Sequence, residues 1–172
     1  RIYQESIWRL MQMESIEHFY KKIAESINEM IPCNWDKVWM YAEILDDSAE
    51  IIFYFNEQNG ETYVTGHEIP HKYNVRKSTY IHLLYELSKI FEELKKEYIK
   101  NSLGAWTTVT LQLDYTGKFS IEYGYDDVYS LSIDNVQRIA VWEYEMFGFL
   151  PGDEEDKEVV LNYIKNKEEN NN

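Results

Sequence analysis

Cysteine is almost missing from this chain. Cys33 stands alone, so an intramolecular disulfide and a cysteine-rich metal knot are both excluded. Proline occurs three times in 172 residues. The seven glycines are scattered, mostly at turns, and form neither a P-loop nor a glycine-rich dinucleotide turn. Long apolar runs are missing too, which leaves no candidate for a membrane span. At the N-terminus Gln4, Glu5, Ser6 and Arg9 interrupt what a signal peptide would need as an apolar core. Basic residues are outnumbered, 17 against 31 acids, for a net charge of −14. A phosphate backbone is bound through Lys and Arg, so direct nucleic acid binding is not expected. The cytoplasm is the expected location.

What remains is a folding chain. Hydrophobic residues make up 44% and aromatics 16%, with 15 tyrosines. That is a globular composition and not a disordered acidic tail, and the length suits one domain with a real core. The acidic excess is ordinary solvation in many proteins. It also steers encounter with a basic partner.

The stretch Trp106–Asp127 reads as the organising hairpin. Val109, Leu111, Leu113 and then Phe119, Ile121, Tyr123 and Tyr125 occupy alternate positions, with Thr, Gln, Ser and Glu between them. A two-residue Thr-Gly loop would set Leu113 against Ser120, an apolar side chain against a polar one on the same face. A three-residue loop, Tyr115-Thr116-Gly117, sets Asp114 against Lys118. It pairs Leu113 with Phe119, Leu111 with Ile121, Val109 with Tyr123 and Thr107 with Tyr125. Gly117 then takes the left-handed position of a type I turn with a G1 bulge.

Elsewhere the pattern is helical or extended by turns. Ile16, Phe19, Tyr20, Ile23, Ile27 and Met30 give a helix over 14–30, which Ile7, Leu10 and Met11 extend backwards. Pro32 ends it. Residues 37–45 and 50–56 read as strands. Asn59-Gly60 predicts a type I′ turn into a third strand over 62–66. Residues 67–76 read as an irregular link. A helix over 79–100 has Ser78 as its cap and Gly104 as its stop. A further helix over 135–147 turns Val136, Ile139, Ala140 and Phe147 inward and stops at Gly148. A last helix is capped by Asp153, with the chain frayed beyond Lys165.

Few groupings carry chemistry. His67-Glu68-Ile69-Pro70-His71 matches the zinc motif H-E-x-x-H, but Pro70 falls where a helix interior must be and breaks the face that would align the histidines. His18, His82 and Cys33 have no nucleophile context. Asp46/Asp47 and Asp153–Asp156 have turn and cap explanations. Asp126-Asp127 closes a Tyr-rich strand end, and tyrosine supplies rigid contact area at interfaces.

Taken together, IPCNWDKV (31–38), HEIPHKYNV (67–75), AWTTVTLQLDYTGKFSIEYGYDD (105–127) and RIAVWEYEMFGFLPGDEEDK (138–157) resemble the YezG/EsaG-like family of bacterial immunity proteins. The resemblance covers roughly 13–165 and implies a cytoplasmic antitoxin that neutralises a secreted nuclease toxin of the LXG or a related type. It implies no catalytic residue and no cofactor. Trp35, Tyr73, Trp106, Gly117, Tyr125, Asp126, Asp127, Trp142, Gly148 and Pro151 fall at family-pattern positions. Residues 1–12 lie outside the resemblance, which points to Met13 as the natural start.

The expectation is a single α+β domain, an antiparallel sheet of about five strands covered on one face by helices. Its bounds are a 1–13 extension, a 14–165 immunity domain and a 166–172 polar tail. The partner is a nuclease toxin domain with a basic surface, met by Asp114, Glu122, Tyr125, Asp126 and Asp127. No metal site is expected. The alternatives are a small metal-dependent hydrolase built on Asp126, Asp127 and nearby histidines, or a cytosolic protein-binding scaffold.

Overall fold

Alternating apolar residues put Trp35–Ile44 (β1), Ala49–Glu57 (β2), Val64–Thr65 (β3), Thr108–Asp114 (β4) and Phe119–Gly124 (β5) into one antiparallel sheet, in the order β3-β2-β1-β4-β5. This is a computed structural model, and it describes residues 2–172. Arg1 of the expected extension and the side chain of Leu10 lie outside the described residues. The fold is α+β, as the alternation predicts. The chain forms two compact units, Arg1–Asp126 and Asp127–Asn172.

In the first unit β1 is the central strand. Its Val38, Met40 and Ala42 face Phe55, Phe53 and Ile51 on one side and Leu113, Leu111 and Val109 on the other. All nine are buried. Two helices cover this face. Ile2–Met30 (α1) contributes Ile16, Ile23, Ile27 and Met30, and Lys77–Lys100 (α3) contributes Tyr80, Leu87, Phe91 and Leu94. Both stripes run at the same spacing of seven, four and three, which keeps the apolar side chains on one helix face.

The hairpin register is the predicted one. Leu113 pairs with Phe119, Leu111 with Ile121 and Val109 with Tyr123. Gly117 has φ +87, and its amide donates to the Asp114 carbonyl at 3.0 Å. One expected pair fails. The Thr107 amide donates to the Gly124 carbonyl at 2.8 Å, and its hydroxyl to the Asp126 carbonyl at 2.7 Å. Tyr125 is therefore outside the ladder.

Other boundaries move for local reasons. Asn59 is left-handed at φ +59 but Gly60 has no positive φ, so the turn is not type I′, and β3 is only two residues long. The irregular link is a 3₁₀ turn, Gly66–Glu68, running into the one-turn helix Ile69–Lys72 (α2), with Pro70 in the first turn where its missing N–H costs nothing. α3 begins at Lys77 after an Arg76 cap, not at Ser78. It closes as a Schellman motif with Ser102, not Gly104, in the left-handed position (φ +57). The Leu103 amide reaches the Tyr98 carbonyl at 2.9 Å, and the Ser102 amide reaches Ile99 at 3.1 Å.

The second unit is a helical hairpin of Asn135–Phe147 (α4) and Glu154–Asn170 (α5). An Asp134–Gln137 capping box opens α4, and Gly148 at φ +74 closes it where expected. Asp153 caps α5 as predicted, but the helix continues to Asn170 instead of fraying after Lys165. Ile133, Val141 and Val160 form the small core. Val136, expected inward, is 67% exposed.

Candidate partner-binding surface

The five predicted contact residues do not form one patch. Asp114 sits at the tight turn of the hairpin, and Tyr125–Asp127 at the far end. β4 alone spans seven residues, roughly 20 Å at about 3.3 Å per residue. Glu122 lies between them, exposed on edge strand β5 opposite Thr110.

Two of the five have local work. One Asp114 carboxylate oxygen accepts the Thr116 hydroxyl at 2.6 Å, the Thr116 amide at 2.9 Å and the Lys118 amide at 3.1 Å. The Thr116 hydroxyl bond is the main reason its carboxyl is held below the ordinary carboxylate range. Asp127 opens the 3₁₀ turn Val128–Ser130. Its oxygens accept the Tyr129 amide at 3.2 Å and the Ser130 hydroxyl at 2.6 Å. Asp126 differs. Only its main chain is engaged, and its exposed carboxylate makes no hydrogen bond among the described residues. Tyr125 is 54% exposed, with its ring over Gly104, where an added Cβ would come within 2.9 Å of the ring.

The motif around Cys33 and the motif around Tyr73 converge at the turn end of the first unit. The Cys33 thiol donates to the Tyr73 hydroxyl at 3.7 Å, and that hydroxyl donates to Glu57 Oε1 at 2.6 Å. Lys72 Nζ lies 2.8 Å from the same Glu57 oxygen. Lys72 first, then Tyr73, holds the Glu57 carboxyl below its usual range, while burial pushes the Tyr73 hydroxyl up. The β1–β2 register slips between Trp35 and Lys37. That frees Asp36 to accept the Asn59 amide on its carboxylate and the Tyr115 amide on its carbonyl, both at 2.9 Å. The polar cavity there, about 580 Å³, is lined by Asn34, Asp36, Asn59 and the 72%-exposed Tyr115 among others. Beside Cys33 and Trp35, its groups are hydrogen-bonding amides, one carboxylate and a tyrosine, which suit contact with another polar surface.

The second unit carries an apolar groove of about 280 Å³ between α4 and the connection to α5. Val136, Ile139, Ala140, Phe149, Leu150 and Pro151 line it, together with Glu143 and Asp156. His67 and His71 fall on the separate 3₁₀ and α2 segments. Among the described residues no three His, Cys, Asp or Glu side chains come together to hold a metal ion.

Comparison with known proteins decides the relationship. The model of the YezG-like immunity protein family matches residues 16–161. This chain belongs to that family. It is 44% identical over 158 residues to the immunity protein YezG of Bacillus spizizenii, covering 92% of this chain and 98% of the relative. Against the immunity protein YezG of Bacillus subtilis the identity is 42% over 149 residues, 87% and 99% of the two chains. The type VII secretion system protein EsaG of Staphylococcus aureus is 29% identical over 156 residues, 91% and 93% of the two.

In this YezG-like chain, sequence reasoning missed the Asp36–Asn59 contact and the exposed groove. The first depends on a bulge that no motif announces. The second had a signal in Phe149-Leu150-Pro151, three apolar residues between Gly148 and Gly152. Bulky apolar residues between two glycine turns are either buried by a neighbour or offered to one.

Proposed function

We propose that this chain is a non-catalytic immunity protein that binds a cognate secreted nuclease toxin in the cytoplasm of the producing cell and neutralises it. Membership of an immunity protein family supports the class of function. The name of the staphylococcal relative, a type VII secretion system protein, supports a secreted toxin. The observation that carries the nuclease reading is charge. The chain holds 31 acids against 17 bases, and a nuclease domain presents a basic surface to its substrate. Opposed potentials raise the encounter rate, to about 10⁸–10⁹ M⁻¹s⁻¹ at low salt.

The exposed acids Glu122 and Asp126, with Tyr125 beside them, are the proposed contacts on the first unit. Asp114 is engaged in the hairpin turn and Asp127 in the turn that follows it. The test is reconstitution. The nuclease domain of the proposed cognate toxin is mixed with the full chain, and complex formation and nucleic acid cleavage are followed together. A stoichiometric complex with cleavage abolished is the expected result. Cleavage that continues at saturating immunity protein removes the reading.

A further inference from the structure

The groove of the second unit has the features of a docking site, and we infer that it takes a short segment of the toxin that presents apolar side chains flanked by Lys or Arg. This rests on the immunity reading above and specifies where part of the binding occurs. The first ground is exposure. Val136, Phe149 and Leu150 are 67%, 39% and 38% exposed, although they cluster around one cavity. Contiguous apolar surface rimmed by polar groups marks interaction sites.

The second ground is that the walls are already fixed. Phe149 stacks on Phe147 with ring centroids 5.2 Å apart, and Phe147 meets Trp142 edge-on at 5.6 Å. Gln137 Nε2 donates to Asp156 Oδ1 at 3.2 Å and ties α4 to α5 at the groove. Gly148 turns the chain so that Phe149 and Leu150 return along α4. A preformed groove loses little ordering entropy when it is filled.

The third ground selects the occupant. Residues 127–172 hold eleven acids and four bases, which is half of the net charge of −14. Glu143 and Asp156 are among the lining residues of the groove, and Asp153, Glu154 and Glu155 follow directly after Pro151-Gly152. A second copy would bring this acidic surface against itself, and like charges so juxtaposed are costly. At about 280 Å³ the groove is just under the roughly 300–1,000 Å³ of small-molecule pockets. It has room for one or two apolar side chains.

The experiment uses the full chain and the catalytically inactivated nuclease domain of the proposed cognate toxin, with kinetics measured across a salt series. Val136→Lys and Leu150→Lys each remove an apolar contact and add repulsion towards a basic segment, so affinity falls at least tenfold, mainly through faster dissociation. Val136→Asp weakens binding less, because its charge attracts, and an acid in the first turn of α4 suits the helix. Glu154→Gln with Glu155→Gln slows association severalfold at low salt and little at high salt. Unchanged melting in each variant separates binding from folding. A complex that both lysine variants leave at full affinity overturns the groove and leaves the immunity reading standing. A wild-type dimer that Val136→Lys dissociates, with toxin affinity unchanged, assigns the groove to a second copy and overturns the proposal. Failure of the wild type to bind overturns the immunity reading and this proposal together.

Discussion

The Tyr73 hydroxyl donates to Glu57 at 2.6 Å and joins the end of α2 to the last residue of β2. The same hydroxyl accepts from the Cys33 thiol, so three segments distant in sequence share one oxygen. Removing it by Tyr73→Phe keeps the ring, which packs at 6.3 Å from Phe55. The variant should lose about 1 kcal/mol at the least, since the bond to the Glu57 carboxylate and the weak one from the Cys33 thiol both go with the hydroxyl. For a chain of this size that lowers the melting midpoint by roughly 2–4 °C. A midpoint equal to wild type would show the bond to be energetically silent.

Asp114 predicts a pH dependence. Its carboxyl is held low in the folded state, chiefly by the Thr116 hydroxyl. A depressed pKa contributes stability that is present above the unfolded value, about 3.9 for aspartate, and is lost as pH falls through the folded value. Asp114→Asn should therefore melt below wild type at neutral pH, and the gap should close as pH falls below about 4. A gap that persists unchanged into acid would mean that the charge has no part in the turn.

Gly117 is a purely conformational test. Its φ is +87, and a Cβ there meets nothing within 4 Å. Gly117→Ala thus adds no clash and isolates the left-handed penalty, on the order of 1 kcal/mol. Gly117→Asn should cost less, since Asn tolerates that region. Equal stability of all three forms, measured by denaturant titration, would contradict the assigned turn.

Some of the fold's features were legible in the sequence because each is decided within a few residues. The Leu113–Phe119 register, Gly117, the Gly148 stop and the Asp153 cap all follow from local spacing and backbone preference. Where chemistry is degenerate, reading failed. Gly104 was the expected end of α3, yet Ser102 takes the left-handed position, and Gly104 instead accommodates the Tyr125 ring. Val136 failed for a different reason. α4 is apolar on two sides, one with Val136, Ile139 and Ala140, the other with Val141 and Trp142. Periodicity gives the faces but not which one the fold buries. Of the five contact residues, sequence could not separate an acid that holds a turn, such as Asp114, from one with a free carboxylate, such as Asp126.

Trp106 is wholly buried, and its indole N–H has no acceptor among the described residues. Its ring lies 5.3 Å from that of Tyr123, with Lys95 Nζ 5.8 Å above it. An unsatisfied buried donor costs about 1–3 kcal/mol, and phenylalanine removes that donor along with part of the ring. Trp106→Phe should therefore destabilise far less than Trp106→Ala, which opens a cavity worth about 3–5 kcal/mol. Similar losses for both would mean that the indole volume, and not its N–H, sets the balance at this site.

Asp126 and Asp127 are neighbours with opposite prospects. Asp127 spends both carboxylate oxygens on the turn that follows, whereas the Asp126 carboxylate is exposed and makes no hydrogen bond among the described residues. Asparagine keeps a capping oxygen, so Asp127→Asn should melt close to wild type, while Asp127→Ala should lose about 1 kcal/mol. Asp126→Asn should leave melting unchanged and act on the toxin alone. If Asp126 pairs with a basic group at the centre of the interface, dissociation quickens and the cost is roughly 2 kcal/mol or more. If it only rims the interface, association slows and the salt dependence weakens, as for Glu122→Gln. Stopped-flow association and dissociation rates for Asp126→Asn, beside those of Glu122→Gln, distinguish anchor from rim. Rates identical to wild type in both directions, with folding intact, would take this corner out of the binding surface and leave the contact to other parts of the chain.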